Sequence, residues 1–334
     1  MKIAVRRTYY GDRLCFPGVL QDALVDVRAA YARMLVQRGG TDRGDAMVRA
    51  EHVIAADLPD LLRDDPSLEQ VRRLHDWALG RAQSGDLHEG CTWSHVPELL
   101  GPPVGRPHTV WGMSGNYPRQ EPERAAPGSA PRDRPGRPPD QRGFLKAAGA
   151  LAGPYDEIRY PAISRHVVPE IELAAVVGRR CHGLRREEAM SAVAGYAILC
   201  DVGARDIGAL DNRALDRAKG FDTFAVIGPW FVTADEIPDP HKLRIRAWVN
   251  GRVRQDGNTA GMLHDIPEQL EWLSSALTLR PGDVVSTGTP PGPAPIEPGD
   301  VLRGEIDGLG AIECTVVAES DAGAARHQGE DGAA

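Results

Sequence analysis

The chemistry in this chain begins at Pro169-Glu170-Ile171-Glu172-Leu173, where two carboxylates are separated by one apolar residue. In an extended strand, residues i and i+2 point to the same face with Cα atoms about 7 Å apart, so the two acids converge. Side by side among apolar neighbours, two like charges raise one another's pKa and cost stability unless a cation neutralises them. A hard divalent ion does this well. An all-oxygen ligand set without paired Cys or His points to Mg²⁺, Ca²⁺ or Mn²⁺ over Zn²⁺. For a Glu-x-Glu pair standing alone, a solvated strand face is the competing account.

Four further segments follow in order: Asp201-Val202-Gly203-Ala204-Arg205-Asp206, Lys219-Gly220-Phe221-Asp222, Gly228-Pro229-Trp230 and Thr287-Gly288-Thr289-Pro290. Together with Glu170-x-Glu172 and Val249-Asn250-Gly251, they form a series that resembles the fumarylacetoacetate hydrolase family, from about Val110 to Val317. The resemblance implies an α+β fold. A small N-terminal domain would precede a catalytic domain built as a β-rich mixed-sheet sandwich or roll, usually assembled as a homodimer. It also implies a Mg²⁺-dependent hydrolase that cleaves a carbon–carbon bond in a 2-oxo or β-diketo acid, of the acylpyruvate or fumarylacetoacetate kind met in the catabolism of aromatic compounds, through an enolate. A decarboxylase or keto–enol isomerase on the same metal site is the alternative, and a catalytically impaired metal-binding member is another.

Carried over residue by residue, the resemblance makes Glu170, Glu172 and Asp201 the metal-binding carboxylates, with waters or substrate oxygens completing an octahedral shell. Lys219 corresponds to the family's active-site lysine, holding a substrate carboxylate or stabilising developing enolate charge. Arg205 offers its planar fork to substrate oxygens, or pairs with a neighbouring carboxylate. Thr289 offers hydroxyl and backbone donors to substrate, while Gly288 serves the turn. The structural alternatives are a turn residue for Asp201 and a surface lysine for Lys219.

The chain departs from the family at the segment that opens the catalytic domain, commonly Gly-Leu-Asn-Tyr-x-x-His-x-x-Glu, whose His–Glu pair activates water from a closing lid. Here it reads Ser114-Gly115-Asn116-Tyr117-Pro118-Arg119-Gln120-Glu121-Pro122-Glu123. Gln120 takes the histidine's position, and an amide is no base near neutrality. Glu123 remains as a candidate general base if desolvated, or as a plain surface charge. From Pro118 to Arg142 there is no Val, Leu, Ile, Met or aromatic residue, which fits a linker or a mobile lid. Gly208 stands where hydrolase members often carry a substrate-contacting glutamine, and Cys200 replaces the asparagine before the metal aspartate. Cys200 reads as a core residue rather than a nucleophile, and His166 as a strand-entry residue rather than a ligand.

The elements that must position these groups are legible from periodicity. Ile171 to Val177 reads as a buried strand, Leu243 to Gln255 as a hairpin around Asn250–Gly251, and Asp300 to Val317 as a second hairpin with Asp307–Gly308 at its turn. Asp265 to Ala276 reads as a helix. Upstream, Gln21 to Arg38 carries Leu24, Val27, Tyr31, Met34 and Leu35 at helical spacing. A second helix is predicted from Asp65–Pro66 as cap and first turn, with Leu68, Val71, Leu74 and Ala78 continuing toward Gly80. Both stripes are expected to face the core. The expected division is a small α+β domain over 1–105, the catalytic domain over 106–318 with the lid at about 118–142, and a disordered tail over 319–334.

Composition excludes other classes. At 334 residues, 42% of them hydrophobic, the chain has the length of about two domains. No apolar run approaches the roughly 18 residues of a membrane span, and Met1 to Cys15 lacks the unbroken apolar stretch of a secretory signal, so a cytoplasmic location is expected. The five cysteines (15, 91, 181, 200 and 314) form no CxxC pair and support neither a zinc ribbon nor a disulfide framework. A net charge of −8 disfavours a general nucleic-acid binder. The expected partner is a small acid, with no nucleic acid and no membrane.

Overall fold

A computed structural model describes residues 1–20, 23–39, 41–87, 90–118, 140–212 and 214–319. At its centre the strand Ile171–Val177 occupies the predicted bounds, every residue buried. A strand covered on both faces has no polar side to show, which explains its unbroken apolar run after Glu172. It pairs antiparallel with Val193–Asp201 on one edge and Val284–Ser286 on the other. From Val193–Asp201 the sheet continues through Ala225–Thr233 to Lys2–Arg6, Arg13–Leu20, Ala23–Asp26 and Thr92–Ser94. In the other direction Val284–Ser286 runs parallel to Val110–Met113, which pairs with Gly143–Lys146. The first strands of the chain thus extend the same sheet that carries the candidate site.

Alternation along the central strand assigns its two faces. Leu173, Ala175 and Val177 pack with Ile245, Leu302 and Ile312 of a five-stranded sheet and with Leu270 and Leu273 of the helix Ile266–Ala276. Ala174 and Val176 pack with Met34, Leu58, Val71 and Leu74 of the N-terminal helices. The approach of the two sheets is close: a Cβ on Gly304 would sit 2.5 Å from Cδ1 of Ile171. The fold is therefore α+β and β-rich, with packed mixed sheets, as the sequence predicts.

Both predicted hairpins are present, Arg244–Val249 with Arg252–Asn258 and Val301–Ile306 with Gly310–Ala318. The first closes on Asn250 and Gly251, at φ 51° and 73°, the double left-handed turn that Asn-Gly favours. The helix Ile266–Ala276 starts in a capping box, in which Asp265 accepts from the Glu268 N–H and Glu268 accepts from the Asp265 N–H.

The N-terminal helix boundaries differ from expectation. Ala23–Asp26 is a strand, paired with Arg13–Leu20 and Thr92–Ser94, and the helix runs only from Val27 to Arg38 after Asp26 caps Ala29 N. Leu24 and Val25 suit either element, and strand pairing decides between them. Likewise Asp65 closes a helix, Leu58–Asp64, which its own cap Asp57 and Pro59 begin; the next helix starts at Glu69. A further helix, Arg43–Val53, was not predicted. No helix among the described residues is long and apolar enough to cross a membrane.

Candidate active site

Strand register brings the acids together. Ile171 pairs with Cys200, and Asp201 N donates to Glu170 O at 2.8 Å, so Glu170 and Asp201 face each other across the ladder while Glu172 follows on the same face. One oxygen from each of the three carboxylates lies within 4.8 Å of the others. Glu172 and Asp201 are buried, and the Glu170 side chain retains 20% exposure, which gives the cluster one solvent-facing side.

The Thr287-Gly288-Thr289 loop runs beside this strand and holds it. Thr287 Oγ1 donates to Leu173 O at 2.9 Å and Thr289 Oγ1 to Ile171 O at 2.8 Å. Ser286 Oγ and Gly288 N both donate to Glu172 Oε2, at 2.6 and 2.9 Å. Gln255 Nε2 braces the loop through Thr289 Oγ1 and Pro290 O, both at 2.8 Å. The Thr289 hydroxyl hydrogen is thereby directed at the backbone that positions the acids.

Two ammonium groups enter from separate elements. Lys219 ends the short helix Leu215–Lys219 and bridges Glu170 Oε2 and Asp201 Oδ2, each at 2.7 Å. It reaches there over Gly203, whose added Cβ would lie 2.8 Å from Lys219 Cε. Lys146, at the end of Gly143–Lys146 and with its side chain fully buried, pairs with Asp201 Oδ1 and donates to Val202 O at 3.3 Å. Arg205 begins the helix Arg205–Leu210 and reaches Glu170 Oε1 at 3.3 Å while remaining 42% exposed.

The electrostatics follow from burial and charge count. Burial and the neighbouring Asp201 and Glu170 charges push the Glu172 carboxyl up to about 8, against the Ser286 hydrogen bond and Lys219. Burial acts in the same direction on Asp201 but is outweighed by Lys146 and Lys219, which hold it ionised. Burial would lower Lys219, yet the charges of Asp201 and Glu170 overcome it and keep the ammonium charged. Three carboxylates thus face Lys146, Lys219 and, at the rim, Arg205 in a largely buried site, and the convergence of their oxygens fits a hard divalent ion with oxygen ligands.

The structure brings Glu170, Glu172, Asp201, Lys219, Arg205 and Thr289 into one cluster. Gln120 and Glu123 lie outside the described residues, as do most of the expected lid and all but the first residue of the expected tail. Asp206 serves the local fold, accepting from Ser164 Oγ and Arg165 N at 2.7 Å each. Gly208 lets the Arg205–Leu210 helix approach Ala218, to whose Cβ an added methyl would come within 3.3 Å. Cys200 is fully buried, and burial pushes its thiol up. His166 is exposed and supplies its carbonyl to Arg205 N.

Lys146, Ser286 and Gln255 were missed. The available signal for Lys146 was its alternation with Phe144, an inward position on a strand; Ser286 and Gln255 carried none beyond adjacency to assigned segments.

Residues 109–317 match the family described as fumarylacetoacetate (FAA) hydrolase C-terminal. The mitochondrial oxaloacetate tautomerase of Xenopus laevis is 36% identical over 301 residues, 86% of this chain and 91% of that protein. The crystal structure of maleylpyruvate hydrolase from a Sphingobium species superposes with a TM-score of 0.66 at 30% identity, covering 94% of this chain and 99% of that one. That hydrolase has also been crystallised with manganese(II) and pyruvate. Fumarylacetoacetate hydrolase from Exiguobacterium antarcticum gives a TM-score of 0.70 at 26% identity, over 95% and 99% of the two chains. With the ordered motifs assembled on one sheet and the family match spanning residues 109–317, the chain belongs to the fumarylacetoacetate hydrolase family.

Proposed function

We propose that the protein is a Mg²⁺-dependent enzyme that takes a 2-oxo or β-diketo acid of acylpyruvate type through its enolate and hydrolyses a carbon–carbon bond. The observation that carries this reading is the convergence of Glu170, Glu172 and Asp201 within 4.8 Å on one sheet face. These three residues would hold the ion, which when bound supplies Lewis acidity toward the carboxylate and ketone of the substrate. Lys219 presents a preorganised cation to the negative charge that develops on the substrate oxygen. Arg205, at the exposed rim beside Glu170, takes a further substrate oxygen. Lys146 keeps Asp201 ionised, and the Thr287–Thr289 loop fixes the strand from which the acids project. Glu123 is the candidate base for the attacking water, and the assembly in this reading is a homodimer.

A second reading, keto–enol tautomerisation without bond cleavage, is favoured by the 36% identity to an oxaloacetate tautomerase over 86% of this chain and by Gln120 at the position of the water-activating histidine. Both readings share the enolate and differ in whether water attacks.

The test is incubation with Mg²⁺ and a panel of acylpyruvates, oxaloacetate and fumarylacetoacetate-like diketones, following enol absorbance and products beside a Glu170→Ala/Glu172→Ala variant. Metal-dependent turnover that the double variant abolishes is expected. Cleaved products support hydrolysis, and enol–keto interconversion alone supports the second reading. Turnover that persists in the double variant would overturn both.

A further inference from the structure

We infer that the Tyr117 hydroxyl is a substrate contact, donating a hydrogen bond to an oxygen of the 2-oxo acid bound beside Glu172. The inference rests on the function proposed above and assigns one donor within it.

Tyr117 is only 7% exposed, and among the described residues its hydroxyl oxygen is buried without a hydrogen-bond partner. Buried hydroxyls are normally paired, because losing water without replacement costs free energy, so an orphan of this kind calls for a ligand or another explanation. The segment beside the ring is held in place. Its neighbour Asn116 is clamped on three sides: Nδ2 donates to Thr287 O at 2.8 Å and His264 O at 3.0 Å, and Oδ1 accepts from His264 N at 2.8 Å. The ring itself lies against Gly261, where an added Cβ would come within 3.3 Å of Tyr117 Cδ1.

The same clamp ties the segment that carries Tyr117 to the loop that holds the acids. Thr287 and Gly288, tied to Asn116, hold Leu173 O and Glu172 Oε2 respectively. Burial raises the Tyr117 phenol and the Glu172 charge adds to it, so the hydroxyl stays protonated. Glu172 Oε2 already accepts from Ser286 and Gly288 and makes no bond to Tyr117. A permanently protonated, buried phenol beside a cation-seeking cluster suits an anionic oxygen, the carboxylate or enolate of a 2-oxo acid.

The experiment compares the wild-type chain with Tyr117→Phe by calorimetric titration, first with Mn²⁺ and then with oxalate, and by thermal melting of each. The variant is expected to bind Mn²⁺ as tightly as wild type and to melt at the same or a higher temperature, since it loses an unpaired polar atom. Its oxalate affinity is expected to fall about tenfold or more, the worth of a hydrogen bond to a charged acceptor. Unchanged oxalate affinity would overturn the inference alone, and a lower melting temperature with unchanged affinity would assign the hydroxyl to the fold instead. A wild-type chain that takes up neither Mn²⁺ nor oxalate would overturn the metal-site reading, and this inference with it.

Discussion

At the proposed metal site, raising the pH from 6 to 9 should tighten divalent-metal binding, because Glu172 would have to give up a proton to become a ligand. In the metal-free protein its carboxyl is raised to about 8, by burial first and then by Asp201 and Glu170. A group with that pKa is ionised in roughly 1% of molecules at pH 6, about 10% at pH 7 and about 90% at pH 9. The apparent affinity should therefore rise close to a hundredfold across the range, about 2.7 kcal/mol at roughly 1.36 kcal/mol per tenfold step. The stability of the metal-free protein should move the other way. Glu172 has a folded-state pKa above its unfolded value, so the native state holds the extra proton; its contribution is fully present below the unfolded value and is lost as pH rises through about 8. Titration of Mn²⁺ by calorimetry in buffers of different ionisation heat reads both affinity and protons released, with about one proton released at pH 7 and almost none at pH 9. Glu172→Gln retains a carbonyl oxygen to accept from Ser286 and Gly288, so the metal-free variant should no longer lose stability through this window, and it should bind Mn²⁺ far more weakly. Equal wild-type affinity at pH 6 and pH 9 without proton release, or tight binding by the variant, would refute the reasoning.

Three substitutions test the supports of the site. Asp201→Asn strips Lys146 of its carboxylate partner in a fully buried position and removes one of Lys219's two, which should cost about 3–5 kcal/mol in urea unfolding; a loss below about 1 kcal/mol would contradict the buried pairing. Gly203→Ala places a methyl 2.8 Å from Lys219 Cε, so the lysine tail must shift and its bridge to Glu170 and Asp201 should loosen, lowering kcat with the fold retained; wild-type kcat in a folded variant would show that the close approach over Gly203 is not needed to place the ammonium. Gly288→Ala introduces a side chain at φ +91°, with its Cβ 3.0 Å from Asn116 Cβ, and should cost about 1–3 kcal/mol. Because Gly288 N supports Glu172, weaker Mn²⁺ binding should accompany that loss, and a variant as stable as wild type would show that the loop tolerates the strain.

What the sequence determined by itself is the set of features that local physics enforces. The two-residue period places Glu170 and Glu172 on one face whatever lies around them, and continuous burial marks Ile171 to Val177 as a central strand. Asn250–Gly251 acts within a few residues and turns where predicted, and the helix predicted over Asp265 to Ala276 begins in a capping box between Asp265 and Glu268. Leu24 shows where local signals end: its spacing continues a helical stripe, but neighbouring strands supply pairing partners, and Asp26 becomes the cap. Tertiary structure alone decided the rest of the site. The motif series names Lys219, but Lys146 reaches Asp201 from an element 55 residues away, Ser286 meets Glu172 across 114 residues, and Asn116 ties its segment to the loop that holds Glu172. Nothing local to a lysine or a tyrosine distinguishes a surface position from a place beside three buried carboxylates. That difference is one of desolvation and long-range contact, and it exists only once the sheets have packed.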